Sequence, residues 1–137
     1  MARIVGARLH GDRLRRLGGH VARSGIIDAV EEGIELIAEE ARSSIIAGAV
    51  SGPEHTPSAP GEPPNADTHE LDQSIKTTMD RTKIVGRAIA EAEYAAAQEY
   101  GTSTLPERPF MRPAGKKKRP AARRLVVAAV NKANRGF

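Results

Sequence analysis

Apolar residues recur at Ile27, Val30, Ile34, Ile37, Ala41, Ile45 and Ala49, in steps of three and four. That spacing puts them on one face of a helix. Ser24 is the expected N-cap, and Gly48 with Gly52-Pro53 the expected stop. Glu31, Glu32, Glu35, Glu39 and Glu40 fill the remainder, several of them early, where the helix dipole favours acids. Glu31/Glu35 and Glu35/Glu39 are like-charge pairs four residues apart. A neighbouring subunit's basic end is the expected relief. Elsewhere the pattern is shorter. Residues 2–9 read as an edge strand. Asp12 to Leu17 read as one or two helical turns, broken by Gly18-Gly19. Leu71 to Met79 and Lys83 to Ala92 read as two strands joined at Asp80-Arg81-Thr82. Tyr94 to Tyr100 reads as a short helix or a strand-to-helix join, punctuated by Gly101. A final helix is expected from Pro120, as an N1 residue, to about Ala133, with Leu125, Val126, Ala129 and Val130 as its stripe and Gly136 beyond it.

Two segments are neither helix nor strand. Residues 51–67 hold five prolines and two glycines, and so form a long extended loop, of a length that is usually functional or disordered in a small domain. Leu105 to Pro113 is a rigid strap, because Pro106, Pro109 and Pro113 each hold the preceding residue extended. The expected fold is α+β, with a long N-terminal helix and a C-terminal helix packed on a small antiparallel β-sheet. The expected organisation is a single domain over 1–137, with the proline-rich loop 51–67 and a basic C-terminal helix over 115–135.

Composition sharpens this picture. The 137 residues include two Phe, two Tyr and no Trp, so the core must come from Ile, Val, Leu and Ala. Such a light core suits a subunit that its neighbours complete. Cysteine is absent, which excludes disulfides and thiolate metal sites. No stretch approaches the length of a membrane span and the first residues carry no long apolar run, so the expectation is a soluble chain made in the cytoplasm, without membrane contact. The net charge of +4 is unevenly spread. Residues 1–24 carry six Arg and one Asp, residues 25–102 five basic and fifteen acidic residues, and residues 103–137 ten basic residues and one Glu. Basic ends around an acidic middle suit head-to-tail contact between copies, a surface facing nucleic acid, or plain solvated faces.

Catalytic patterns are missing. His10, His20, His55 and His69 stand in no zinc-binding pattern. His55 and His69 flank the proline loop and read as solvated histidines rather than a metal bridge. There is no nucleophile elbow, phosphate loop or dinucleotide fingerprint. The expectation is a non-enzyme with no catalytic residues, cofactor or metal. The clearest electrostatic feature is Arg108, Arg112, Lys116, Lys117, Lys118, Arg119, Arg123 and Arg124. Such a run binds phosphates without reading sequence, meets an acidic protein surface, or is merely solvated.

Three stretches, taken in order, carry a resemblance. They are Pro60-Gly61-Glu62-Pro63-Pro64 followed by Thr68-His69-Glu70-Leu71-Asp72-Gln73-Ser74-Ile75, then Tyr94-Ala95-Ala96-Ala97-Gln98-Glu99-Tyr100-Gly101-Thr102, then Arg108-Pro109-Phe110-Met111-Arg112-Pro113-Ala114. The chain resembles the neck or tail-component family of siphophage-type tailed bacteriophages. That family shows a proline loop, T-G-x-L-x-x-S-I, Y-A-x-x-x-E-x-G-T, R-P-F-x-R-P-A and a closing helix. His69 departs from the pattern, standing where the family has Gly, which puts a tight turn of positive φ in doubt.

The resemblance implies a structural virion protein of the head–tail connection, made in the host cytoplasm. It implies a homo-oligomeric ring, hexamer or dodecamer, through which DNA passes, beside head-closure or adaptor and tail-terminator or tail-tube proteins. The alternatives are a tail terminator at the top of the tube and a sequence-independent DNA-binding protein. Arg108, Phe110, Arg112, Glu99 and Tyr100 are the candidate inter-subunit or partner contacts. Lys116, Lys117, Lys118, Arg119, Arg123 and Arg124 are the candidates to face DNA or an acidic partner. In the third motif, Pro109 and Pro113 are expected to hold the strap, Phe110 to anchor it, and Arg108 and Arg112 to reach acids such as Glu99.

Overall fold

A computed structural model of the chain describes residues 6–48 and 52–135. The elements are α1 (Ala7–Gly18), α2 (His20–Ile46), a single 3-10 turn at Gly52–Glu54, α3 (Glu70–Gln73), β1 (Ile75–Asp80), β2 (Val85–Ala90), α4 (Ala95–Tyr100) and α5 (Met111–Arg135). The fold is α+β: long helices packed on a two-stranded antiparallel sheet. An isolated hairpin is marginal in water, so this one depends on the helix beneath it. Ile75 pairs with Ala90, Thr77 with Ala88 and Met79 with Gly86. These three pairs are buried or half-buried, while Lys76, Thr78, Arg87 and Ile89 are exposed on the other face.

Small residues set the spacing. A Cβ on Gly86 would lie 3.2 Å from Ile34 Cγ2 and 3.3 Å from Val30 Cγ1, so the hairpin comes as near to α2 as a glycine allows. A Cβ on Gly33 would lie 3.0 Å from Ala122 Cβ, where α5 meets α2. Ala22 and Ala29, buried like Gly33, share its side of α2. The period of three and four found the larger residues of α2 but passed over this second, small-residue face. Core burial centres on Ala38, Ala41, Ile45, Leu71, Ile75, Ala95, Phe110 and Ala114.

Several expected boundaries move. The edge strand over 2–9 lies partly outside the described residues, and from Ala7 onward the chain is helical. Ala49 and Gly136 also lie outside the described residues. Helix α2 starts at His20, not after Ser24, because the extended backbone of Gly19 (φ −70°, ψ 155°) makes the break alone. Ser24 falls inside the helix, and Ala22 is already packed. The first predicted strand begins later, at Ile75, since Glu70–Gln73 forms a helical turn. The largest difference is α5, which starts at Met111 and carries Pro120 in its interior. An interior proline costs about 3 kcal/mol. Ala114 is buried upstream of it, and Lys117 and Lys118 both pair with Glu40 of α2, at 2.5 and 3.6 Å. Contacts on α2 thus hold the turns before the proline in place.

Several carboxylates of α2 find cations within the chain itself. Arg42 pairs with Glu35 at 2.7 Å and donates to the Ile75 carbonyl at 2.9 Å. Thr77 donates to Glu35 at 3.0 Å, and Arg81 pairs with Glu31 at 3.2 Å. Arg42 and Thr77 hold the Glu35 carboxyl below its ordinary pKa. Arg23 donates to the carbonyls of Arg81 and Thr82, fixing the hairpin turn onto α2.

Candidate functional site

The second and third motifs meet at Glu99. Its side chain is buried at the C-terminal end of α4. One carboxylate oxygen accepts the backbone N–H of Phe110 at 2.8 Å and of Met111 at 2.9 Å. The other accepts the N–H of Arg112 at 3.0 Å and its Nε at 2.9 Å. The first four N–H groups of a helix have no partner inside it. For α5, three of them go to Glu99, and the fourth position is Pro113, which has no N–H. A carboxylate from another helix therefore caps α5 completely, with the sign the dipole favours. Burial pushes the Glu99 pKa up, but the three N–H donors and the Arg112 side chain outweigh it and leave it below the ordinary value.

Arg112 extends this knot. It donates to the Glu99 carbonyl at 2.8 Å and to Glu107 at 3.0 Å, and its guanidinium lies 5.1 Å from the Tyr100 ring centroid. Phe110 is 1 % exposed and fills the chain's own core. Arg108 departs from expectation, since its Nε donates not to an acid but to the Ser58 carbonyl, at 3.1 Å. That bond ties the strap to the proline loop, as does the Gly61 N–H to the Glu107 carbonyl at 2.9 Å. Pro113 also departs, lying in the first turn of α5 rather than in an extended strap. Gly101 permits the turn between the motifs. Its φ is +72°, and a Cβ there would lie 2.8 Å from the Glu107 nitrogen and 2.9 Å from the Leu105 oxygen. So Glu99, Arg108, Phe110 and Arg112 are all engaged within the chain, while Tyr100 stays exposed.

His69, despite its side chain, holds φ 61° and ψ 14°, so the positive-φ turn is kept. Its Nδ1 lies 3.2 Å from Asp72 Oδ1. His55 and His69 line one pocket of about 180 Å³ together with Asp67, Glu70, Asp72 and Tyr94. Among the described residues, no group of three or more acidic or imidazole side chains is placed to hold a metal.

The basic run divides in two. Lys117 and Lys118 are committed to Glu40, whose carboxyl they hold below its ordinary pKa. Lys116, Arg119, Arg123 and Arg124 make no ion pair or hydrogen bond among the described residues. Arg112, Lys116, Arg119 and Arg123 follow at steps of four, three and four, in line on one side of α5, and exposed Val127 and Val130 continue that line. Residue types alone cannot make this division, because which lysines Glu40 captures depends on the crossing of α2 and α5. No family model, no curated protein and no solved structure matches the chain.

Proposed function

We propose that the chain is a structural subunit of the head–tail connection of a tailed phage, a neck or tail-completion protein that works as a homo-oligomeric ring around the DNA path and performs no catalysis. The observation that carries this reading is that the three stretches bearing the resemblance fold onto one another. Leu71 and Ile75 of the first, Ala95 of the second, and Phe110 and Ala114 of the third share one core. Glu99 of the second caps the helix begun by the third. Residues from all three stretches thus contribute to the core, beside Ala38, Ala41 and Ile45 of α2. A ring subunit then offers its outer faces to neighbours, through contacts that close on rotation. The test is mass spectrometry of purified virions of the phage encoding the chain, with antibody labelling in electron micrographs. Label at the head–tail junction is expected. Absence from purified virions would refute the reading, and label confined to the top of the tail tube of headless tails would favour a tail terminator.

A second reading, sequence-independent DNA binding, draws on the unpaired cations of α5. Neutralised phosphates make affinity fall steeply with salt. No measurable binding to duplex at low salt eliminates that reading.

A further inference from the structure

Between α2, β2 and α5 lies a groove of about 270 Å³. Its floor is Val30, Ile34, Ile37, Gly86, Ala122 and Val126, and its remaining polar wall is Arg119 and Arg123. Both arginines are exposed and lack an acidic partner among the described residues. Of the other cations of α5, Arg112 is held by Glu99 and Glu107, and Lys117 and Lys118 by Glu40, while Lys116 and Arg124 lie outside the groove. An apolar floor beside two unbalanced cations fits an apolar side chain flanked by carboxylates.

The chain itself carries such a segment. Ile89 is 42 % exposed, on the hairpin face turned away from α2. Glu91 and Glu93 follow at alternate positions, both exposed and without a cation partner among the described residues. We infer that the groove of one copy receives the Ile89–Glu93 segment of a second copy, with Ile89 on the apolar floor and Glu91 and Glu93 facing Arg119 and Arg123. The two surfaces share no residue, so the contact is heterologous and each copy can both give and receive. That such contacts close into a ring rests on the reading proposed above; the pairing of the two surfaces rests on the apolar floor, the exposed Ile89 and the opposite charges.

Charge reversal tests the pairing. Sedimentation velocity across concentration and salt is expected to show wild-type self-association that weakens as salt rises. R119E/R123E and E91R/E93R should each raise the dissociation constant by more than about tenfold, the scale on which close charge pairs control association. Neither pair has an intrachain partner to lose, and circular dichroism checks that both variants fold. Mixed in equal amounts, the two variants should associate again, since the reversed groove of one then meets the reversed segment of the other, and the remaining native groove meets a native segment. Ile89→Asp should abolish association in the wild-type background. The inference is overturned by a wild type that stays monomeric throughout, by association that ignores both reversals, or by a mixture that stays dissociated. It is also overturned if R119E/R123E abolishes binding to a duplex DNA probe while leaving the mass of the assembly unchanged. The virion reading is judged separately by the protein's presence in particles, so either can fail without the other.

Discussion

Replacing Glu99 removes the acceptor of every free backbone N–H in the first turn of α5 at once. In Glu99→Ala the Phe110 N–H is left buried and unpaired, while those of Met111 and Arg112 are half-buried and gain some water. An unsatisfied buried donor costs about 1–3 kcal/mol, so about 2 for Phe110 and about 1 for each of the others gives a loss of about 4 kcal/mol. In Glu99→Gln one oxygen becomes an NH2 group. Both oxygens of the native carboxylate accept two hydrogens each, so the amide must turn its own hydrogens toward two donors. About half the loss, about 2 kcal/mol, is expected. Urea unfolding followed by circular dichroism at neutral pH measures both. Because the folded pKa of Glu99 is lowered, its contribution is present above the unfolded carboxylate value of about 4.3 and is lost as pH falls through the lower folded value. The gap between wild type and Glu99→Gln should therefore close below about pH 4. A Gln variant within about 0.5 kcal/mol of wild type at neutral pH would refute the capping argument, since surface substitutions do no more than that.

Three other substitutions probe the same frame by urea or thermal unfolding. Phe110→Ala should cost about 3–5 kcal/mol, the range for truncating a buried Phe, and if the variant is instead stable but fails to associate, Phe110 acts between subunits. Gly101→Ala combines a positive φ with a methyl group 2.8 Å from backbone, and should cost more than the roughly 1 kcal/mol of a left-handed alanine alone. At His69, φ 61° penalises a branched side chain, so His69→Val should lose about 1–2 kcal/mol, whereas His69→Gly should stay near wild type, relief of backbone strain offsetting the lost contact with Asp72.

The long helix, the hairpin, the short helix before Gly101 and the proline loop were legible because each rests on local signals: spacing, alternation, or residues that fix φ. The start of α5 was not. Pro120 is the strongest local stop in that region, and what overrides it is Glu99, together with Glu40 far back on α2. Ser24 misled for the converse reason, since it is a good cap that a glycine upstream made unnecessary. At the candidate site, an Arg112–Glu99 pairing could be anticipated from charge. The capping by Glu99 could not, because backbone N–H donors leave no trace in residue identity. Arg108 shows the same blindness, as its acceptor is the main-chain oxygen of Ser58.

The union of α2 and α5 has a consequence for how the chain comes to be folded. Glu40 and Lys117 are 77 residues apart. The Gly33 side of α2 therefore lacks its contact with Ala122 until α5 has been made. Contacts so distant in sequence slow folding, because the intervening loop must be closed before they repay its entropy. On the ribosome, α2 would wait with its apolar faces open while the loop, hairpin and strap are synthesised. A product truncated before α5 should therefore be a target for proteolysis.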